Sequence, residues 1–154
     1  MKDENRVAVV TGGSRGIGKA IAIKLAKENC DVLITYQKDK VSADATVDTL
    51  KSLGREALSL QIEMSNPTAG ATICSRALKE FGKIDILINN ASKNPIAQNV
   101  KNYKFSEYNL DKWRQGLEVD LVGSFLLSKY AAKIFEKKNK GKIINISSMY
   151  GIIG

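Results

Sequence analysis

Short unbroken apolar runs alternate along the chain with longer stretches in which apolar residues return every three or four positions. The run Val7-Ala8-Val9-Val10 has no polar member and predicts a strand buried on both faces. Beyond a glycine-rich turn, Ile17, Ile21 and Leu25 recur at four-residue spacing and predict a helix with that stripe inward, ending near Glu28 and Asn29. Residues 31–36 predict a second strand, and a helix is expected over residues 42–53, where Ala43, Val47 and Leu50 share a face and Gly54 supplies a stop. Strand three then falls on residues 57–62, a helix opened by Pro67 runs to residue 80, and strand four covers residues 84–88. A long helix is expected over residues 111–137 and a fifth strand over residues 142–146. Strands and helices thus alternate, the order expected of an α/β fold with a parallel sheet of about five strands and helices on both faces. The connection over residues 93–110, with Tyr103, Phe105 and Tyr108, is the one long irregular stretch, and connections of that length usually carry function, here contact with a substrate.

Composition narrows the class without naming an activity. A chain of 154 residues has room for one domain of ordinary size, and 44% hydrophobic with 26% charged residues suits a packed globular core. No apolar stretch approaches the length of a membrane span. The polar start from Met1 to Arg6 leads straight into the first strand rather than into a signal peptide's apolar centre, so the chain is expected to be cytoplasmic with no membrane partner. There is no histidine, and Cys30 and Cys74 form no CxxC pair; no metal site is expected, and both thiols are read as small buried apolar groups. Lysine and arginine number 24 against 16 acidic residues, a net charge of +8 that suits anionic partners. The densest run, Lys137-Lys138-Asn139-Lys140-Gly141-Lys142, falls where the long helix should end and where cations complement the helix dipole. No aromatic residues are interleaved there to stack bases, so no nucleic-acid partner is expected.

The chemistry is concentrated in the first turn. Thr11-Gly12-Gly13-Ser14-Arg15-Gly16-Ile17-Gly18 joins a buried strand to an amphipathic helix, where backbone N–H groups and the helix dipole can hold a phosphate or pyrophosphate. Gly13 to Lys19 nearly meets the P-loop pattern, but the next residue is Ala20, which has no hydroxyl for Mg²⁺. Gly16-Ile17-Gly18 begins a GxGxxG pattern that fails at Ile21. The form TGxxxGxG fits without a mismatch.

This turn resembles the cofactor turn of the short-chain dehydrogenase/reductase family, and the resemblance extends along the chain. Phe81-Gly82-Lys83-Ile84-Asp85-Ile86-Leu87-Ile88-Asn89-Asn90-Ala91 is similar to that family's strand-four signature, and Gly141-Lys142-Ile143-Ile144-Asn145-Ile146-Ser147-Ser148 to its strand five. The resemblance implies a Rossmann-like doubly wound sheet, here incomplete, with residues 1–154 forming a single NAD(P)-binding domain cut short at its C-terminal end. It implies cofactor contacts at Gly12, Ser14, Arg15, Gly16, Ile17 and Gly18 in the turn, at Gln37 and Lys38 after strand two, at Glu63 and Met64 after strand three, and at Asn90 and Ala91 after strand four. An acidic residue at the end of strand two would accept the ribose 2′-OH of NAD. Thr35-Tyr36-Gln37-Lys38 lacks one, and Arg15 occupies the basic position that NADP-preferring members use, so NADP is expected ahead of NAD.

The resemblance further implies hydride transfer between the nicotinamide and a carbonyl or alcohol carbon of a small substrate. Ser148 matches the serine that bonds the reacting oxygen, and Asp120 stands on the long helix where the family carries the asparagine of a proton relay. A carboxylate accepts hydrogen bonds and donates none, so Asp120 alters that relay. The family's Tyr-x-x-x-Lys pair would fall just beyond Gly154; Tyr150 comes too early, and Tyr130 with Lys133 has the wrong spacing. The chain is therefore read as the N-terminal part of an NADP-dependent oxidoreductase, inactive alone, whose full-length form is a homo-oligomer, dimer or tetramer. The alternative is a non-catalytic nucleotide-binding or partner-binding module.

Overall fold

Each of the five short apolar runs forms a strand in the computed structural model, which describes residues 5–93 and 104–148. The strands are β1 (Arg6–Val10), β2 (Cys30–Tyr36), β3 (Ala57–Gln61), β4 (Ile86–Asn89) and β5 (Lys142–Asn145), all parallel and in the spatial order β3-β2-β1-β4-β5. Parallel neighbours need crossover connections, and helices supply them on both faces. On one face lie α1 (Gly16–Lys27) and α2 (Lys40–Ser52), packed on Ala8, Val10, Val32, Ile34, Ile86 and Ile88. On the other lie α3 (Ala69–Phe81) and α5 (Ser124–Lys138), packed on Val9, Leu33 and Leu87. Alternate residues of one strand thus serve opposite layers, which is why the strands read as unbroken apolar runs.

Three expectations change in detail. In α1 the buried face is Gly18, Ala22 and Ala26, while Ile17 is 63% exposed and Ile21 and Leu25 are only partly buried. Small residues let this helix lie close on the sheet, so the bulky stripe falls to its flank. The strand expected over residues 84–88 begins at Ile86, where pairing with Ala8 starts. Asp85 accepts the Val7 N–H on its carboxylate at 2.9 Å.

The long helix expected over residues 111–137 is not one α-helix. It comprises α4 (Leu110–Leu117), a π-helical segment (Glu118–Gly123) and α5. Gly123 in the π segment comes so close to the strap after β3 that a Cβ there would stand 2.5 Å from the Met64 carbonyl oxygen, and a Cβ on Gly70 of α3 would stand 2.9 Å from the Leu127 backbone.

β5 pairs only with β4, and Ile143 and Ile144 stay exposed on it. No helix among the described residues is long and apolar enough to cross a membrane.

Both cysteines are buried, and burial pushes the Cys74 thiol up to about 11. Burial also raises Cys30, against the pull of Arg6. The folded protein keeps the Cys74 thiol protonated more firmly than the unfolded chain does. Its contribution to stability is therefore complete below the ordinary thiol value and is lost as pH rises through the folded value. Melting temperature should hold from neutral pH to about pH 9 and fall between there and about pH 11, with a shallower fall in Cys74→Ala; equal slopes in the two proteins would show that this thiol does not drive the loss.

Candidate active site

The strand order reverses beside β1, which has β2 on one side and β4 on the other, so the carboxyl ends of β1 and β4 open a crevice at the switch point. The glycine turn leaves β1 there and is tied down on three sides. Gly12 donates its N–H to Thr35 Oγ1 at 3.2 Å, and Gly13 to the Thr35 carbonyl at 3.0 Å. The buried Thr46 hydroxyl of α2 donates to the Ser14 carbonyl at 3.1 Å. From the β4 side, Thr11 Oγ1 accepts the N–H groups of Asn90 and Ala91, each at 2.9 Å, while the Asn90 amide donates to the Thr11 and Gly12 carbonyls at 2.9 and 3.3 Å.

This bracing places the start of α1 against the turn. A Cβ on Gly18 would stand 2.3 Å from the Gly12 carbonyl oxygen and 2.5 Å from the Asn90 amide nitrogen, so only glycine permits the approach. Helix starts commonly carry Ser, Thr, Asp or Asn, whose oxygen satisfies the first N–H groups. Here Arg15 occupies the cap, no side chain bonds to the helix start, and the first turn has no acidic residue. The N–H groups and the positive end of the helix dipole are left for an anion.

The crevice encloses about 500 Å³ and is lined by Gly12, Ser14, Arg15, Gly16, Ile17, Gly18, Gln37, Glu63, Met64, Asn90 and Ala91. Every residue that the sequence assigned to cofactor contact is in that group except Lys38. β2 ends at Tyr36, and the chain then bends into the cap of α2, leaving Lys38 exposed with its carbonyl accepting the Lys40 N–H. At that cap, the backbone N–H of Ser42 bonds Asp39 and holds its carboxyl below the usual range, aided by the Ser42 hydroxyl and the charge of Arg15. Gln37 donates its side-chain amide to the Glu63 carboxylate, linking the ends of β2 and β3 across the rim.

Residues outside the expected set complete the wall: Thr35, Tyr36, Ile62, Ser92, Lys93 and Val119. Thr35 and Tyr36 lie within the run that ended strand two, so β2's length was their signal. Val119, on the π segment far along the chain, had none.

A second cleft of about 650 Å³ adjoins the first at Ala91 and Ser92 and is lined by Asp120, Ser124, Ser128, Asn145 and Ser148 among others. Asp120 and Ser148, the two residues expected to take part in the reaction, therefore share one cleft. The Asp120 carboxylate accepts the Ser92 hydroxyl at 3.0 Å and the Lys93 N–H at 2.8 Å, which fixes the segment between the two clefts. Asn89, buried at the end of β4, donates to Ser128 Oγ at 2.9 Å and to Asn145 Oδ1 at 2.8 Å, joining β4, α5 and β5 at the floor. Tyr108 meets Trp113 edge-on at 6.0 Å between ring centres. Tyr130 is partly buried against the second core layer with Lys133 Nζ 5.7 Å from its ring, and neither lines the two clefts. Tyr103, Tyr150 and the Phe105 side chain lie outside what is described. Among the described residues no three Cys, Asp or Glu side chains gather to hold a metal ion.

Sequence comparison adds a decisive observation: the family model described as short chain dehydrogenase matches residues 6–154. The chain belongs to the short chain dehydrogenase family. Two curated members illustrate the likeness. Glucose 1-dehydrogenase 2 of Bacillus subtilis is 34% identical over 146 residues, covering 94% of this chain and 55% of that protein. The 3-oxoacyl-[acyl-carrier-protein] reductase of Synechocystis is 34% identical over 151 residues, covering 97% and 58%. A short chain dehydrogenase from Burkholderia cenocepacia, solved in complex with NADP, superimposes with a TM-score of 0.85 at 33% identity, covering 97% of this chain and 58% of that one. The chain thus spans somewhat more than half the length of the short chain dehydrogenases it matches. The five-stranded parallel sheet with helices on both faces is the Rossmann-like arrangement of these structures.

Proposed function

We propose that this short chain dehydrogenase binds NADP in the first cleft and belongs to an oxidoreductase that transfers hydride between the nicotinamide and a carbonyl or alcohol carbon. The observation that carries the reading is the uncapped start of α1, which opens into a crevice with no acidic residue in the first turn and with Arg15 at the cap position. Pyrophosphate suits such a place because its charge meets unsatisfied N–H groups. Gly12, Ser14, Arg15, Gly16, Ile17 and Gly18 hold the pyrophosphate; Gln37, Glu63 and Met64 border the adenosine half; Asn90 and Ala91 border the nicotinamide half. The bound group supplies the hydride, and Ser148 bonds the oxygen of the reacting carbon in the second cleft, with Asp120 at its edge. Residues 1–154 form one NAD(P)-binding domain of a longer enzyme in this reading. Leu121 and Phe125, 64% and 62% exposed on the α4–α5 side, form part of a face that a second copy covers.

Fluorescence titration of the chain tests the cofactor. NADPH should bind more tightly than NADH, and equal affinities would refute the NADP assignment. Arg15→Ala should weaken NADPH about 10- to 100-fold, the worth of a charge-assisted bond to the 2′-phosphate, and NADH by less than about threefold. Loss of NADPH absorbance with aldehydes or ketones, measured on the full-length protein, tests the hydride transfer.

A further inference from the structure

The end of β2 has no acidic residue, yet the fold delivers one to the same place. Gln37 occupies the position from which a carboxylate would meet the adenosine ribose 2′-OH. Its side-chain amide is bonded to Glu63, which arrives after β3, and both line the rim of the dinucleotide crevice. The link is braced on both sides. Gln61 donates its amide to the Gln37 carbonyl at 3.0 Å, and the Ser65 N–H reaches the other Glu63 oxygen at 3.5 Å.

Resting on the assignment of the first cleft to NADP, we infer that Glu63 is a specificity-determining residue that opposes the 2′-phosphate. Its negative charge lies one hydrogen bond from Gln37 and competes there with the attraction of Arg15. The chain therefore prefers NADPH by less than its glycine turn alone would dictate, and it retains NADH as a usable partner. The physical reason is Coulombic. A carboxylate beside a phosphate repels it, while a ribose hydroxyl in the same place meets an acceptor. Sequence order hides this because the charge comes from a different strand and is held by a neutral residue.

The ratio of NADPH to NADH affinity isolates the effect, since the two cofactors share every group except the phosphate. Any change in folding or in adenine contacts therefore cancels. Glu63→Gln keeps the shape and removes the charge. Measured on the whole chain at low ionic strength, it should raise the ratio about five- to tenfold, and the gain should shrink at about 0.5 M salt as screening takes over. Arg15→Ala should lower the same ratio. A ratio that stays level or falls in Glu63→Gln overturns the inference and leaves the cleft assignment standing. A ratio that rises equally at both salt concentrations overturns the charge mechanism. If the unaltered chain binds neither cofactor, the cleft assignment itself falls and this inference falls with it.

Discussion

Gly18→Val is expected to eliminate NADPH binding, with a loss of at least about 100-fold in affinity and a clear drop in melting temperature. The new Cβ would meet the Gly12 carbonyl oxygen at 2.3 Å and the Asn90 amide at 2.5 Å. Neither is a flexible chain end: the first is backbone, and the second is bonded to the Thr11 and Gly12 carbonyls. Relief requires α1 to move away from the turn, which takes the first-turn N–H groups out of line and costs roughly 1–3 kcal/mol of overpacking. Gly16→Ala is the informative contrast. Gly16 has φ +55° with nothing within 4 Å of a Cβ, so that change meets strain of about 1–2 kcal/mol without a clash. NADPH titration and thermal melts of both variants check this. Equal affinity in Gly18→Val and the unaltered chain would show that the approach of α1 to the turn plays no part in binding.

Thr11→Val should cost about 2–4 kcal/mol of stability while changing the shape of the side chain hardly at all. Thr11 is 1% exposed, and its hydroxyl oxygen accepts two backbone N–H groups at once, those of Asn90 and Ala91. Valine leaves both donors unpaired at the partly buried end of β4, and each such group is worth about 1–3 kcal/mol. At ~2–4 °C per kcal/mol for a chain of this size, the melting temperature should fall by about 5–15 °C. Thr11→Ser keeps the oxygen and loses only a methyl group, so it should stay within about 1.5 kcal/mol of the unaltered chain. Differential scanning calorimetry of the pair decides the matter, since similar losses in both would assign the stability to the methyl group.

Thr11 also marks how far the chain could be read before its structure. The buried strands were legible because apolar runs such as Val7-Ala8-Val9-Val10 have no other efficient use in a chain of this composition, and the turn was legible because its glycines stand at fixed offsets. Local pattern says little about distances between segments remote in sequence. The hydroxyl of Thr11 acts on residues nearly eighty positions away, and Thr46 reaches the Ser14 carbonyl from a different helix. Gly70 and Gly123 read as weak helix positions, whereas in space each admits a neighbouring backbone. Periodicity misplaced the inner face of α1 because bulk was taken as the mark of burial, while the sheet there accepts Ala22 and Ala26. Lys38 was assigned by its order after β2, and the bend into α2 carries it away. The charge of Glu63 was visible in the sequence, but its partnership with Gln37 was not.

The π-helical segment over Glu118–Gly123 has a consequence for how this chain can vary in length. A wider turn of this kind holds one residue more than the α-helix it interrupts. Deleting a single residue there would let the backbone close into an ordinary helix with no broken bonds. It would also rotate everything downstream by about 100°, turning Leu127, Ala131 and Phe135 off the sheet they cover. Surface connections absorb gains and losses of residues freely, but in this stretch the count itself is under constraint, whatever the residues are.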